Sequence, residues 1–154
     1  YALALATLQT SPNSPRFNNM MGLELRAQNK NDEALAFFEK AVQANPNHVP
    51  ALVNLGMQYS YFNRQQEAGD LLEKALTLEP GTLATYANLM SVYRTTGAHD
   101  KNIAIAEKAM QRFPQSAAIM WNAANAYQLA GNMARANEIR AKALAIDPNI
   151  GGGK

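Results

Sequence analysis

Proline stands at Pro12, Pro46, Pro80, Pro114 and Pro148, each 34 residues after the last. That spacing is the period of helix-turn-helix arrays, and it constrains the fold more tightly than anything else in the chain. The same step links Ala41, Ala75, Ala109 and Ala143, and also Tyr59, Tyr93 and Tyr127. A further series, Ala34, Ala68 and Ala136, is broken only by Asn102. Several residue types therefore set one register independently. The 154 residues would suit a single domain by length, but the register predicts stacked equivalent units.

Each period reads as two helices. The first helix should end near Asn29, Asn63, Gly97 or Gly131, residue types that accept a left-handed conformation past a helix terminus. The second begins just beyond, with Asp32 and Glu33 at the positive end of its dipole in the first unit. It stops at its proline, which donates no backbone hydrogen bond and disfavours helix in the residue before it. Gly22, Gly56 and Ala124 are placed opposite Ala34, Ala68 and Ala136, so the paired helices can approach closely where their ridges cross. The third unit has Met90 opposite Asn102, a larger and partly polar pair. Its hairpin is expected to be splayed and to be the weak link of the array.

A small residue early in the first helix, two small residues in the second and a closing proline resemble the tetratricopeptide repeat family. The resemblance covers nearly the whole chain and implies an all-α fold, an α-solenoid of antiparallel helix pairs. Full repeats are expected at 15–48, 49–82, 83–116 and 117–150. Residues 1–14 read as the second-helix remnant of an upstream repeat, and 151–154 as a flexible tail. No polar capping helix follows Ile150, so Ile139, Leu144 and Ile146 are expected to be partly exposed. Further chain, or a second copy in a homo-oligomer joined through this uncapped C-terminal repeat, would cover them.

Catalytic and cofactor chemistry find no foothold. There is no cysteine, and the two histidines, His48 and His99, fall in turns of different repeats without a partner at metal-ligand spacing. They read as solvated turn residues. Nothing resembles a nucleophile with its base, so the chain reads as non-enzymatic, with no cofactor and no metal. The ending Gly151 to Lys154 lacks the strand, the Ser/Thr and the helix that a phosphate loop requires. The net charge of +2 arises from 14 basic and 12 acidic residues spread along the sequence, so nucleic acid is not an expected partner. No apolar run approaches the roughly 20 residues that span a bilayer.

The expected partner is a protein or peptide. In the tetratricopeptide architecture the first helices line a concave groove, and helical periodicity points Arg26, Asn54, Met57, Tyr61, Asn88, Arg94, Trp121, Asn122 and Asn125 into it. Asn54, Asn88 and Asn122 occupy one position in successive repeats, where Met20 stands in the first. An amide offers a donor and an acceptor, matching a peptide backbone, so this ladder could grip an extended chain with little regard to sequence. It is similar to the asparagine row in the array of O-linked N-acetylglucosamine transferase, where the matching residues bind peptide main chain. Trp121, Tyr61 and Met57 would add apolar contacts, and Arg26 and Arg94 would pair with carboxylates. The family's carboxylate clamp for chaperone tails is not expected, because its positions hold Asn19, Leu23, Ala84 and Asn88, and only Asn54 matches. A scaffold binding an extended peptide or helix is the leading reading. A self-associating structural array and a substrate-recruiting region of a larger enzyme, such as a glycosyltransferase, are the alternatives.

Overall fold

A computed structural model describes residues 11–152. Among the described residues there are eight helices and no strand: α1 Pro15–Ala27, α2 Asn31–Ala44, α3 Val49–Tyr61, α4 Gln65–Leu78, α5 Leu83–Thr96, α6 His99–Arg112, α7 Ala117–Leu129 and α8 Met133–Ile146. The fold is all-α, a solenoid type built of helix pairs. The remnant read at 1–14 lies outside the described residues except for its last four, which form the turn before α1.

The turns follow the local chemistry of the sequence. Asn29 and Asn63 adopt φ of +61°, and Gly97 and Gly131 adopt +69° and +84°, each closing a first helix in the left-handed region. Ser14, Ser116 and His48 cap the starts of α1, α7 and α3 by accepting from the backbone N–H of Phe17, Ile119 and Ala51 at 3.3–3.4 Å. His48 is therefore a helix cap through Nδ1, a more specific role than a solvated turn residue.

The chain divides into two compact units, Tyr1–Pro80 and Gly81–Lys154. In the first, α1 pairs with α2 and α3 with α4, while α3 also packs on α2 and on α1. In the second, α5 pairs with α6 and α7 with α8, while α7 packs on α6 and on α5. Each unit thus repeats one arrangement, in which first helices are neighbours of first helices.

Side-chain volume is exchanged within each hairpin at a fixed separation. A Cβ on Gly22 would stand 2.5 Å from the Phe38 ring, and one on Gly56 would stand 3.1 Å from Cγ of Leu72. The glycines make room for large side chains sixteen residues on, and both Phe38 and Leu72 are wholly buried. In the third hairpin the sizes are reversed: Met90 is 3% exposed and shares a core cluster with Ala106, itself sixteen residues on. The bulk of Met90 is absorbed by Ala106, so Met90 does not force the splay that a pairing with Asn102 suggested. The α5–α6 hairpin is nevertheless the most loosely packed of the four, and it holds Asn102 where the others hold alanine.

Tyrosines join successive hairpins within each unit. The Tyr59 hydroxyl on α3 donates to Glu39 on α2 at 3.0 Å, with the Arg64 guanidinium 4.0 Å from the ring centroid. Tyr127 on α7 donates to Glu107 on α6 in the same way, beneath Arg135. Burial, then the hydrogen bond to a carboxylate, raises both phenol pKa values above the usual 10.

At the last helix Ile139 is buried, contrary to expectation, while Leu144 and Ile146 are 40% and 41% exposed. Arg140 occupies the position held by Phe38, Leu72 and Ala106 in the earlier hairpins. It turns its guanidinium to Oε1 of Gln128 at 2.6 Å and Oδ1 of Asn125 at 3.4 Å and lies 5.3 Å from the Trp121 ring. A charged group thus covers part of the Trp121 ring.

Candidate functional site

The residues expected to line a groove fall on the first helices of both units. In the first unit, α1 and α3 lie side by side, and Nδ2 of Asn54 donates to Oδ1 of Asn19 at 3.0 Å. Arg26 donates to Oδ1 of Asn54 at 3.5 Å and places its guanidinium 5.5 Å from the Phe38 ring. Both ends of the Asn54 amide are engaged internally, and Asn19, which stands at a position of the family's carboxylate clamp, is buried. Met57 is half-buried. Tyr61 is 66% exposed, stacks edge-on against Phe62 and accepts a hydrogen bond from Asn31 at 3.3 Å.

The second unit is different. Asn88 on α5 and Asn122 on α7 are half-buried, and among the described residues neither side chain has a hydrogen-bond partner. Arg94 is exposed, with one long hydrogen bond to Ser91 Oγ at 3.4 Å. Arg94, Asn122 and Asn125 come together around a cavity of about 200 Å³ that opens between α5, α6 and α7. Its remaining walls include Met90, Ser91 and Asn102. Asn102 is 2% exposed, and its Oδ1 is the one buried side-chain polar atom without a partner among the described residues.

Trp121 does not join this cluster. It is half-buried, lies by Arg140 and is met from its other neighbours by Gly151, where an added Cβ would stand 2.1 Å from the indole. Gly151 adopts φ of +77°, so the first residue of the expected flexible tail is set against an aromatic ring.

Three residues of this region carry more than their sequence positions suggested. Asn102 was visible as the exception in an alanine series, which signalled a weak hairpin but not a cavity. Arg140 could have been found by the same comparison, as an arginine at a position otherwise held by Phe38, Leu72 and Ala106. Asn19 gave no such signal, because burial against α3 depends on how two hairpins meet.

Paired helices stacked through small residues, with polar amides on their first helices, define a helical-repeat protein. No group of three or more His, Asp or Glu side chains among the described residues could hold a metal ion, and no described helix is long and apolar enough to cross a membrane. Two tetratricopeptide repeat models match the chain, at residues 15–48 and 37–70. Residues 15–70 thus carry tetratricopeptide repeats, which support a role in protein interaction.

The fold is shared with solved structures of MamA. One MamA crystal structure is 24% identical, with a TM-score of 0.83 over 96% of this chain and 86% of that one. A second is 25% identical, with a TM-score of 0.82 over 92% and 78%. MamA residues 41 to end from Desulfovibrio magneticus RS-1 are 20% identical, with a TM-score of 0.80 over 90% and 78%. A comparison with curated protein sequences gave no match.

Proposed function

We propose that the chain is a non-enzymatic scaffold that binds an extended peptide along the first-helix face of its repeats, with Asn88 and Asn122 holding the peptide main chain. The observation that carries this reading is the state of those two amides. Each is half-buried and without an internal partner, on two helices that pack together. A half-buried amide keeps a preset orientation while still offering a donor and an acceptor, which suits alternating peptide N–H and C=O groups. Asn54 fits the ladder less well, because Asn19 and Arg26 already satisfy it. The main-chain grip therefore lies within the second unit, on Asn88 and Asn122.

The test is capture of proteome-derived peptides by the wild-type chain and by Asn88→Ala/Asn122→Ala, with helicity of the variant checked by circular dichroism. Loss of capture by a folded variant supports the reading. Equal capture by both, or by neither, sinks it.

Self-association is the second reading, favoured by the exposure of Leu144 and Ile146 on α8. A size in solution that rises with concentration, and that Leu144→Glu abolishes, would establish it. A monomer at all concentrations would remove it.

A further inference from the structure

The cavity beside Asn102 is unlike the rest of the interior. Ala34, Ala68 and Ala136 occupy the equivalent position in the other hairpins and are fully buried, so an alanine there closes the contact without any polar group. Asn102 instead places an amide oxygen with no hydrogen-bond partner at the wall of an open cavity. A buried polar atom left unsatisfied is destabilising, and a repeat that could carry alanine has no packing reason to bear it. Such a local departure, at a position that the other three hairpins give to alanine, marks a place kept for something other than stability.

The walls define what would fit. Asn102 Oδ1 requires a hydrogen-bond donor. Opposite it, Asn122 offers an unpartnered amide, Asn125 has its oxygen held by Arg140, which leaves its Nδ2 to donate, and Arg94 brings guanidinium donors. Met90 contributes an apolar, adaptable side. No acidic side chain lines the cavity, so an ammonium finds no counter-charge beside Arg94. A carboxylate would suit the arginine but would set a second acceptor against Asn102 Oδ1. A primary carboxamide satisfies both sides at once, donating to Asn102 and accepting from Arg94 or the facing amides. The volume, about 200 Å³, is more than ten times the roughly 10–15 Å³ that a single water needs, and it accommodates an unbranched side chain.

We propose that the cavity between α5, α6 and α7 is a subsite for the carboxamide side chain of a glutamine or asparagine in the bound peptide. The inference deepens the peptide-binding reading and rests on it for the peptide main chain. The subsite gives selectivity to an interface whose asparagines would otherwise be indifferent to sequence.

Two arms test it. In the first, protein labelled at the methionine methyl groups is titrated with N-acetylglutamine methylamide and with the methionine and glutamate analogues, and the Met90 methyl resonance is followed. The glutamine probe should shift it saturably, with an apparent affinity at least about tenfold above either analogue, as expected when a site built for a polar group rejects ligands that lack it. Asn102→Ala should erase this preference and raise Tm by about 2–4 °C. An unresponsive Met90, equal response to all three probes, a preference for the glutamate analogue, or a lowered Tm in Asn102→Ala overturns the subsite. In the second arm, nine-residue alanine-rich peptides with a central glutamine or methionine are titrated against wild type and Asn88→Ala/Asn122→Ala. A glutamine preference at Met90 with peptide affinity unchanged in that variant means that the main-chain grip is wrong and the subsite right. Variant-sensitive peptide binding without a glutamine preference means the reverse.

Discussion

Asn54 donates from Nδ2 to Oδ1 of Asn19 at 3.0 Å, so the first rung of the asparagine row is a bond between neighbouring helices of one unit. Asn19 is buried, and removal of its donor would leave an unsatisfied amide oxygen. Asn54→Ala is expected to lower stability by about 1–3 kcal/mol in urea unfolding. Its effect on peptide capture should be smaller than that of Asn88→Ala or Asn122→Ala. A stability change within error, together with a complete loss of capture, would show that Asn54 faces the ligand instead.

The exchange of volume between Met90 and Ala106 predicts strong coupling. Ala106→Leu alone overpacks a filled cluster and should cost about 1–3 kcal/mol. Met90→Gly alone removes a buried side chain and should cost about 2–5 kcal/mol. Together they recreate the Gly56 and Leu72 pair, so the double variant should recover at least about 1 kcal/mol relative to the sum of the singles. Additive unfolding free energies would show that these residues do not share one space.

Tyr59 and Tyr127 predict a loss of stability on the alkaline side. Their pKa values are raised in the folded chain by burial and by hydrogen bonds to Glu39 and Glu107. Below about pH 10 both phenols are protonated whether the chain is folded or not, and the contribution is fully present. Above that, the unfolded chain releases its protons first, so stability falls as pH rises through the folded values. Thermal melts from pH 9 to pH 12 should show this fall, and Tyr59→Phe/Tyr127→Phe should flatten it relative to wild type. Parallel curves for the two proteins would remove the tyrosines as its source.

Trp121 is the single tryptophan and reports on its own cover. Gly151→Ala introduces a Cβ at φ of +77° and 2.1 Å from the indole, so residue 151 must leave its place. The emission maximum should move to longer wavelength, and iodide quenching should increase. Unchanged fluorescence would mean that Gly151 does not shield the ring.

The sequence by itself determined the local architecture. The 34-residue step of proline, alanine and tyrosine names the period, and Asn29, Asn63, Gly97 and Gly131 mark turns that the backbone closes with positive φ. These features are legible because they act within a few residues, through the missing proline donor, the tolerance of left-handed φ and helical periodicity. The family, the all-α class and the helix pairs follow from them.

Tertiary structure decided which of the facing residues are occupied. Periodicity places Asn54, Asn88 and Asn122 on one helical face and treats them alike, yet Asn54 is bonded to Asn19 and Arg26 while Asn122 borders an open cavity. The pairing of Met90 with Ala106, the cover that Arg140 and Gly151 give Trp121 and the orphaned oxygen of Asn102 likewise depend on contacts between helices. A hydrogen bond or a filled volume requires two side chains to meet in space, and a repeat register fixes only which face each one leaves from.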